Sequence, residues 1–478
     1  MHKGRQGFFW SFIDSFAGQG VQFVIGLVLA RLLLPADFGL IGMLTIFIAI
    51  SQSFVDSGFG SALIRKKHCS DADYSTVFYF NLVVSCLAFS MLFIAAPFIS
   101  KFFQEPRLTI LLRVLAIGLI LNAGGLIQRT IFTKQVNFKV QTQVSLIAAL
   151  SSGIVSITMA FLGFEVWSLV ALTLTRYGVN TVTIWFKSSW RPLWLFSIKS
   201  FKELFGFGSK LLISGLINTG YKNIYYLIIG KYFSASDLGF YTKADEFKKL
   251  PSENLNSVIG RVSYPLLANL QDNPEALKAG YVKIIKTSMF LSFLFMLGLA
   301  AVSRDLLLVL IGEAWLPAVP YLQLMCFVGM LYPLHALNLN MLQVQGRSDL
   351  FLKLEIIKKF MALPIIALGI WKGIEVMIIG MFFNSCVAFF LNAYWSGRKI
   401  NYGWKEQLGD IYPSLLFSIA VSFPTYMIST ELFNNAGKTL GFQFLLAGAL
   451  ILILGEMKLS REYTILKAEL FALLRTKK

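Results

Sequence analysis

The chain has 478 residues, 56% of them hydrophobic and only 14% charged, with a mean hydropathy of +0.67. An average soluble protein carries about 25% charged residues, so too few polar side chains remain here to coat a water-soluble globule. The composition also excludes a disordered chain, a collagen and a disulfide-stapled secreted domain.

Apolar runs of about 18 residues or more recur along the sequence, each able to cross a hydrocarbon core about 30 Å thick. In chain order they fall near residues 11–34, 39–62, 76–100, 108–129, 141–163 and 165–187, then 204–230, 237–264, 280–302, 317–343, 350–370 and 374–397, with two more near 411–431 and 439–456. The expected fold is an all-α polytopic membrane protein of about 14 transmembrane helices. The first run is longer than the h-region of a cleavable signal and lacks a small-residue exit, so it reads as a retained span.

The net charge of +18 (43 Lys and Arg against 25 Asp and Glu) is arranged by side. With a cytosolic N-terminus, 27 Lys and Arg fall on the inner side and seven on the outer. That bias places both termini on the cytosolic side. It assigns the excess charge to topology and to anionic membrane lipids, which removes nucleic acid as a partner. The tail from Leu459 onward places Ile465, Leu466, Leu470, Leu473 and Leu474 on one helical face, as an amphipathic helix at the inner surface does.

A shift of 200 residues aligns Arg31-x5-Asp37-x-Gly39 with Lys231-x5-Asp237-x-Gly239, and pairs Gly20 with Gly220, Ser57 with Ser257 and Gly60 with Gly260. Six spans separate the copies, and an even number preserves direction. The organisation expected is two parallel six-helix repeats around a central cavity, at 1–200 and 201–400, followed by two additional helices at 401–457 and a tail at 458–478.

Ionisable groups inside a bilayer cost about 2.5–3.5 kcal/mol each on insertion scales, so they face a cavity or one another. Asp14, Gly18 and Gln22 form a stripe on the first span, and the shift brings them onto Ser214, Asn218 and Lys222 of the seventh. Lys210, Tyr221 and Tyr225 extend that second stripe into a cationic, aromatic wall suited to sugars and phosphates. Arg176, with Asn180 one turn on, lies in the middle of the sixth span as a candidate anion contact; the alternative is an ion pair with Asp56 or Asp14. Asp56 on the second span, and Asp245 and Glu246 among the lysines of the eighth, are candidate ion-coupling or gating acids. The cluster in the eighth span reads equally as structural ion pairs at i, i+3 and i+4.

No catalytic, metal or cofactor site is expected. Cys69, Cys86, Cys326 and Cys386 stand apart, the three histidines lack metal spacing, and Gly437-Lys438-Thr439 has Leu432 where a phosphate loop needs its leading glycine.

The segment Leu29-Ala-Arg-Leu-Leu-Leu-Pro-Ala-Asp-Phe-Gly39 is followed by Phe54-x-Asp56-x-Gly58-Phe-Gly60-x-Ala62-Leu-Ile64. The second copy reads Ile228-Ile-Gly230-Lys231, Asp237-Leu-Gly239-x-Tyr241, Ala244, Pro251 and Tyr264-Pro265. In these residues the chain resembles the Wzx-type polysaccharide and O-antigen flippases of the multidrug/oligosaccharidyl-lipid/polysaccharide exporter superfamily. The resemblance implies movement of an undecaprenyl-pyrophosphate-linked oligosaccharide to the outer leaflet by alternating access, for lipopolysaccharide or exopolysaccharide synthesis. It implies a polymerase or glycosyltransferases as partners, and no enzymatic activity. Many members carry an acidic residue in the seventh span, where this chain has Tyr221-Lys222-Asn223-Ile224-Tyr225. The competing readings are a cation-coupled multidrug exporter of the same superfamily and a membrane polysaccharide polymerase or ligase.

Overall fold

The structure, a computed structural model, describes residues 18–428, 433, 435–457 and 459–475. These are helical with no strand among them, and the chain is an all-α, multi-pass membrane protein. Eight stretches are long and apolar enough to cross a membrane. The other long helices fall on the remaining sequence-derived spans but carry more polar residues.

Two compact units divide the chain, residues 1–239 and 240–478. The first holds α1 (Gly18–Leu32), α2 (Pro35–Asp56), α3 (Phe59–Arg65), α4 (Asp71–Phe103), α5 (Leu108–Lys134), α6 (Phe138–Phe161), α7 (Trp167–Lys187) and α8 (Ile198–Tyr232). The chain continues through α9 (Ala235–Ala268), α10 (Pro274–Leu310), α11 (Ala318–Gly329), α12 (Tyr332–Val344) and α13 (Ser348–Lys372). It ends with α14 (Ile374–Gly397), α15 (Trp404–Met427), α16 (Ala436–Glu456) and α17 (Arg461–Arg475).

In the first unit α5 packs on α4 and α7, α6 on α7, and α2 on α4, α5 and α8. An apolar core of Phe59, Leu63, Val77, Phe78, Ile127 and Leu204 joins α3, α4, α5 and α8. The second sequence-derived span is broken: Ser57 and Gly58 adopt φ of +44° and +70°, ending α2 and starting α3. Ser57 Oγ donates to Asn81 Oδ1 of α4 at 3.1 Å, which fixes the break. Between α4 and α5, the Arg107 guanidinium lies 2.9 Å from Glu105 and holds its carboxyl below the usual carboxylate range.

In the second unit α10 packs on α11, α12, α15, α16 and α17, while α14 packs on α11, α12, α13 and α15. A buried amide network joins three of these helices. Tyr281 donates to Asn338 Oδ1 at 3.0 Å, and Asn338 and Gln407 exchange hydrogen bonds of 3.1 Å. Tyr463 and Leu466 of α17 pack against the core of Phe290, Phe417 and Val421, so the amphipathic tail seats at least these side chains on its own unit.

The sequence repeat has a physical counterpart in the turns before α2 and α9. Asp37 caps its helix by accepting from Leu34 N at 3.0 Å, and Asp237 does the same from Ser234 N at 3.1 Å. The two turns meet reciprocally. A Cβ on Gly39 would stand 1.7 Å from the Ala235 carbonyl oxygen, and one on Gly239 would stand 1.9 Å from that of Pro35. Since Pro35 and Ala235 are themselves equivalent under the 200-residue shift, each copy offers the other the same carbonyl and the same glycine. Only glycine permits backbones to approach so closely.

Gly39→Ala and Gly239→Ala are therefore each expected to destabilise the protein by about 1–3 kcal/mol through forced backbone displacement. Gly220→Ala, where nothing lies within 4 Å of the added carbon, is expected to be near neutral. Thermal unfolding of the purified variants checks the contrast.

Candidate functional site

Polar side chains from four helices converge inside the first unit. Thr181 Oγ1 of α7 donates to the Leu121 carbonyl of α5 at 2.6 Å, and Gly118 and Gly125 of α5 leave room for Tyr177 and Thr181. This close registration turns the neighbouring face of α7, with Arg176 and Asn180, toward the other helices of the unit. Arg176 Nη1 donates to Gln22 Oε1 of α1 at 2.9 Å. Among the described residues no carboxylate lies within ion-pair distance of Arg176, so the pair with Asp56 considered from sequence does not form. Asp14 lies outside the described residues.

Arg129 of α5 is the functional candidate that sequence reasoning missed. Its position near the end of a span made it look like a topological loop cation. Helix side chains lean toward the N-terminus, however, and its guanidinium reaches back seven residues to the Asn122 side-chain and backbone oxygens. The pair Asn122 and Arg129, at i and i+7 on one face, was the available signal. Arg129 feels the charges of Asp56 and Arg176 yet has no ion pair within 4 Å among the described residues. Asp56 sits at the α2 C-terminus, where the helix dipole opposes a carboxylate, and accepts from Gln52 Nε2 at 3.1 Å.

Three buried polar atoms around this cluster have no partner: Gln52 Oε1 on α2, Arg129 Nε on α5 and Asn180 Oδ1 on α7. Buried polar groups are normally satisfied, so these atoms on α2, α5 and α7 keep unused hydrogen-bonding capacity. Two guanidiniums with an orphaned donor and two orphaned acceptors suit an anion that also carries hydroxyls.

Arg176 is itself exposed, and so are several of the α8 residues. Lys210, Asn218 and Lys222 are exposed, Tyr221 is half-buried and Tyr225 is buried. They share one helix, and the contact joining that helix to the cluster is Ser53 Oγ of α2 against Thr219 Oγ1 at 3.1 Å. Neither Lys210 nor Lys222 bonds to Gln22, the amide that holds Arg176.

In α9 the charges are matched. Lys248 and Lys249 lie 2.5 and 2.6 Å from the Asp245 carboxylate, and Lys243 lies 2.8 Å from Glu246. Lys248 also donates to the Tyr332 hydroxyl at 3.5 Å. Asp245 and Glu246 thus stand in the ion pairs that the i, i+3 and i+4 spacing allowed. A separate cavity of about 430 Å³ in the second unit is lined by apolar groups such as Phe293, Leu334, Phe389 and Leu415, and offers no charge to a polar guest. Among the described residues no cluster of His, Cys, Asp and Glu could hold a metal.

Removing one member of a buried pair strands the other. Asp245→Ala is expected to cost about 3–5 kcal/mol by leaving Lys248 uncompensated, and Asp245→Ala with Lys248→Met to recover most of the loss. Denaturation of the two variants beside the parent protein measures it.

Comparison with known proteins agrees with this architecture. The chain is 29% identical over 303 residues to the teichuronic acid biosynthesis protein TuaB of Bacillus subtilis (strain 168), covering 63% of this chain and 62% of TuaB. It is 26% identical over 440 residues to the lipopolysaccharide biosynthesis protein WzxC of Escherichia coli (strain K12), covering 90% of this chain and 87% of WzxC. The fold is that of the lipid II flippase MurJ in an inward closed conformation (TM-score 0.76, 14% identity, 94% of this chain and 98% of that one). It also matches an inward-facing MATE multidrug resistance transporter of the MOP superfamily (TM-score 0.64, 16% identity, 83% of this chain and 98% of that one). Of these, MurJ is a flippase and the MATE protein a transporter. Residues 28–320 match the family described as "Polysaccharide biosynthesis protein", and the chain belongs to that family.

Proposed function

We propose that the protein carries an undecaprenyl-pyrophosphate-linked oligosaccharide from the cytoplasmic to the outer leaflet of the bacterial inner membrane by alternating access. The observation that supports this most is the pair of arginines of the first unit, the part-buried Arg129 and the exposed Arg176, each held by an amide rather than a carboxylate. A diphosphate-sugar head cannot cross hydrocarbon alone, because stripping its charges of water costs far more than any single contact returns. Two planar guanidiniums supply paired donors to phosphate oxygens, and the orphaned amide oxygens of Gln52 and Asn180 accept from sugar hydroxyls.

Asp56 competes with the cargo for Arg129 and so limits how tightly the head is held. The exposed Lys210 and Lys222 of α8, with Asn218 and Tyr221, extend the positive path, while the isoprenoid tail remains in lipid. An inside-negative potential favours outward movement of the anionic head by about 2.3 kcal/mol per charge per 100 mV, without a nucleotide. The names of WzxC, TuaB and MurJ, each tied to an envelope glycan or its lipid carrier, point to the same cargo class. In this reading both termini are cytosolic, which the excess of Lys and Arg on that side supports, and the glycan's glycosyltransferases and polymerase act before and after the protein.

Losing one charge-assisted hydrogen-bonding group costs about 1.5–3 kcal/mol. Arg129→Ala and Arg176→Ala are each expected to reduce glycan export by about tenfold or more, at unchanged membrane levels, with the lipid-linked precursor accumulating inside. Full export by both variants would reject the site.

A further inference from the structure

Sequence reading puts Asp305 in an outward connection, but α10 runs on to Leu310 and buries it at 3% exposure. Gln443 of α16, at 1% exposure, donates through Nε2 to Asp305 Oδ2 at 3.0 Å. The same Nε2 donates to the Ile428 carbonyl, at the end of α15, at 2.9 Å. Both amide hydrogens are thereby used, and the Ile428 carbonyl fixes which way the amide faces. Two buried atoms are then left without any partner: Asp305 Oδ1 and Gln443 Oε1. Both are acceptors, and they belong to two side chains already joined along their other edge.

We propose that Asp305 is a proton-binding site. It holds a proton on Oδ1 and donates it to Gln443 Oε1, closing a cyclic acid–amide pair that clamps α16 onto α10. One proton satisfies both orphans at once, because a protonated carboxyl becomes a donor on one oxygen while remaining an acceptor on the other. A metal ion is a poorer occupant. Hard cations take six or more oxygen ligands, and only two oxygens are vacant here.

Among the described residues, no lysine or arginine forms an ion pair with Asp305. Arg304, the adjacent residue, is exposed; its charge acts on the Asp305 carboxyl, but among the described residues the two form no ion pair. Gln443 is the uncharged contact from α16, whose only charged residues are Lys438 near its start and Glu456 at its end. From α15 the contact is the Ile428 carbonyl, its charged Lys405, Glu406 and Asp410 lying at the opposite end of that helix. Among the other elements packed on α10, α11 has no charged side chain and α12 has only His335 as a titratable group besides Tyr332. The short turn before α11 carries Glu313, and α17 packs at the far end of α16. Glu431 lies outside the described residues.

The carboxyl therefore binds a proton when the second unit is packed as seen, and releases it when α16 separates from α10 and water enters. An unfolded aspartate has lost its proton above about pH 4. Between that pH and the point where folded Asp305 deprotonates, the folded state binds one proton more, so this group's stabilisation is lost as pH rises.

The test uses the full chain in detergent micelles. Infrared spectra at neutral pH, wild type minus Asp305→Asn, are expected to show the carbonyl band of a protonated carboxylic acid, and wild-type melting to fall more steeply with rising pH than the variant's. The side-chain amide introduced by Asp305→Asn would donate to Gln443 Oε1 as the acid does, so this variant is expected to fold and to melt at least as high as wild type near neutrality. Absence of the band, identical pH dependence in the two proteins, failure of the asparagine variant to fold, or a melting rise with sodium at constant ionic strength that Asp305→Asn abolishes would each overturn the proposal.

Discussion

The cost of holding charge away from water governs this structure. Over the apolar stretches of its helices the protein avoids most of that cost by carrying few charges. Where it does place charge between helices, two solutions appear. In α9 every interior carboxylate described has a lysine against it, so Lys243, Asp245, Glu246 and Lys248 form closed pairs. In the first unit Arg129 and Arg176 rest on Asn122 and Gln22, whose amide oxygens orient a guanidinium without neutralising it. The first arrangement holds a helix in place, and the second retains positive charge for something else. That contrast, more than the number of charges, distinguishes structure from site.

The repeat supplies the frame on which this asymmetry is built. The turns before α2 and α9 use the same aspartate cap and meet through mutually fitted glycines, Gly39 against Ala235 and Gly239 against Pro35. Such a contact tolerates little variation, because the clash is with backbone rather than with a movable side chain. The helices flanking these turns have diverged freely: α2 carries Gln52 and Asp56, while α9 carries its lysine-rich pairs. One scaffold thus holds two electrostatic solutions.

Most of the architecture was legible because hydropathy reads burial in lipid directly. Most of the apolar runs fall on described helices, two of them each on a pair of helices, so that the count of fourteen is approximate, and the 200-residue shift found the two turns that touch. What escaped was local. The break at Ser57 and Gly58 depends on a left-handed pair and on Asn81, far away in sequence. Arg129 looked peripheral because span boundaries say nothing about where a long side chain reaches. Asp305 looked like a loop residue because a single carboxylate lowers the hydropathy of a helix end that packing nevertheless buries. Arg176 and Asn180 were legible as a helical pair; Lys210 and Lys222 share the charge and the exposure of Arg176 but not its bond to Gln22. In each case residue type and helix could be read along the chain, and tertiary contact decided the partner.

A double-mutant cycle on cargo binding tests the central claim most directly. Purified wild type, Arg129→Ala, Arg176→Ala and the double variant would be titrated with a lipid-linked diphosphate oligosaccharide at fixed ionic strength. If both guanidiniums hold one diphosphate head, each single change weakens binding and the two effects are coupled, so the double variant loses less than their sum. Binding that is unaffected by either substitution, or losses that simply add, would contradict a shared anion site inside the first unit.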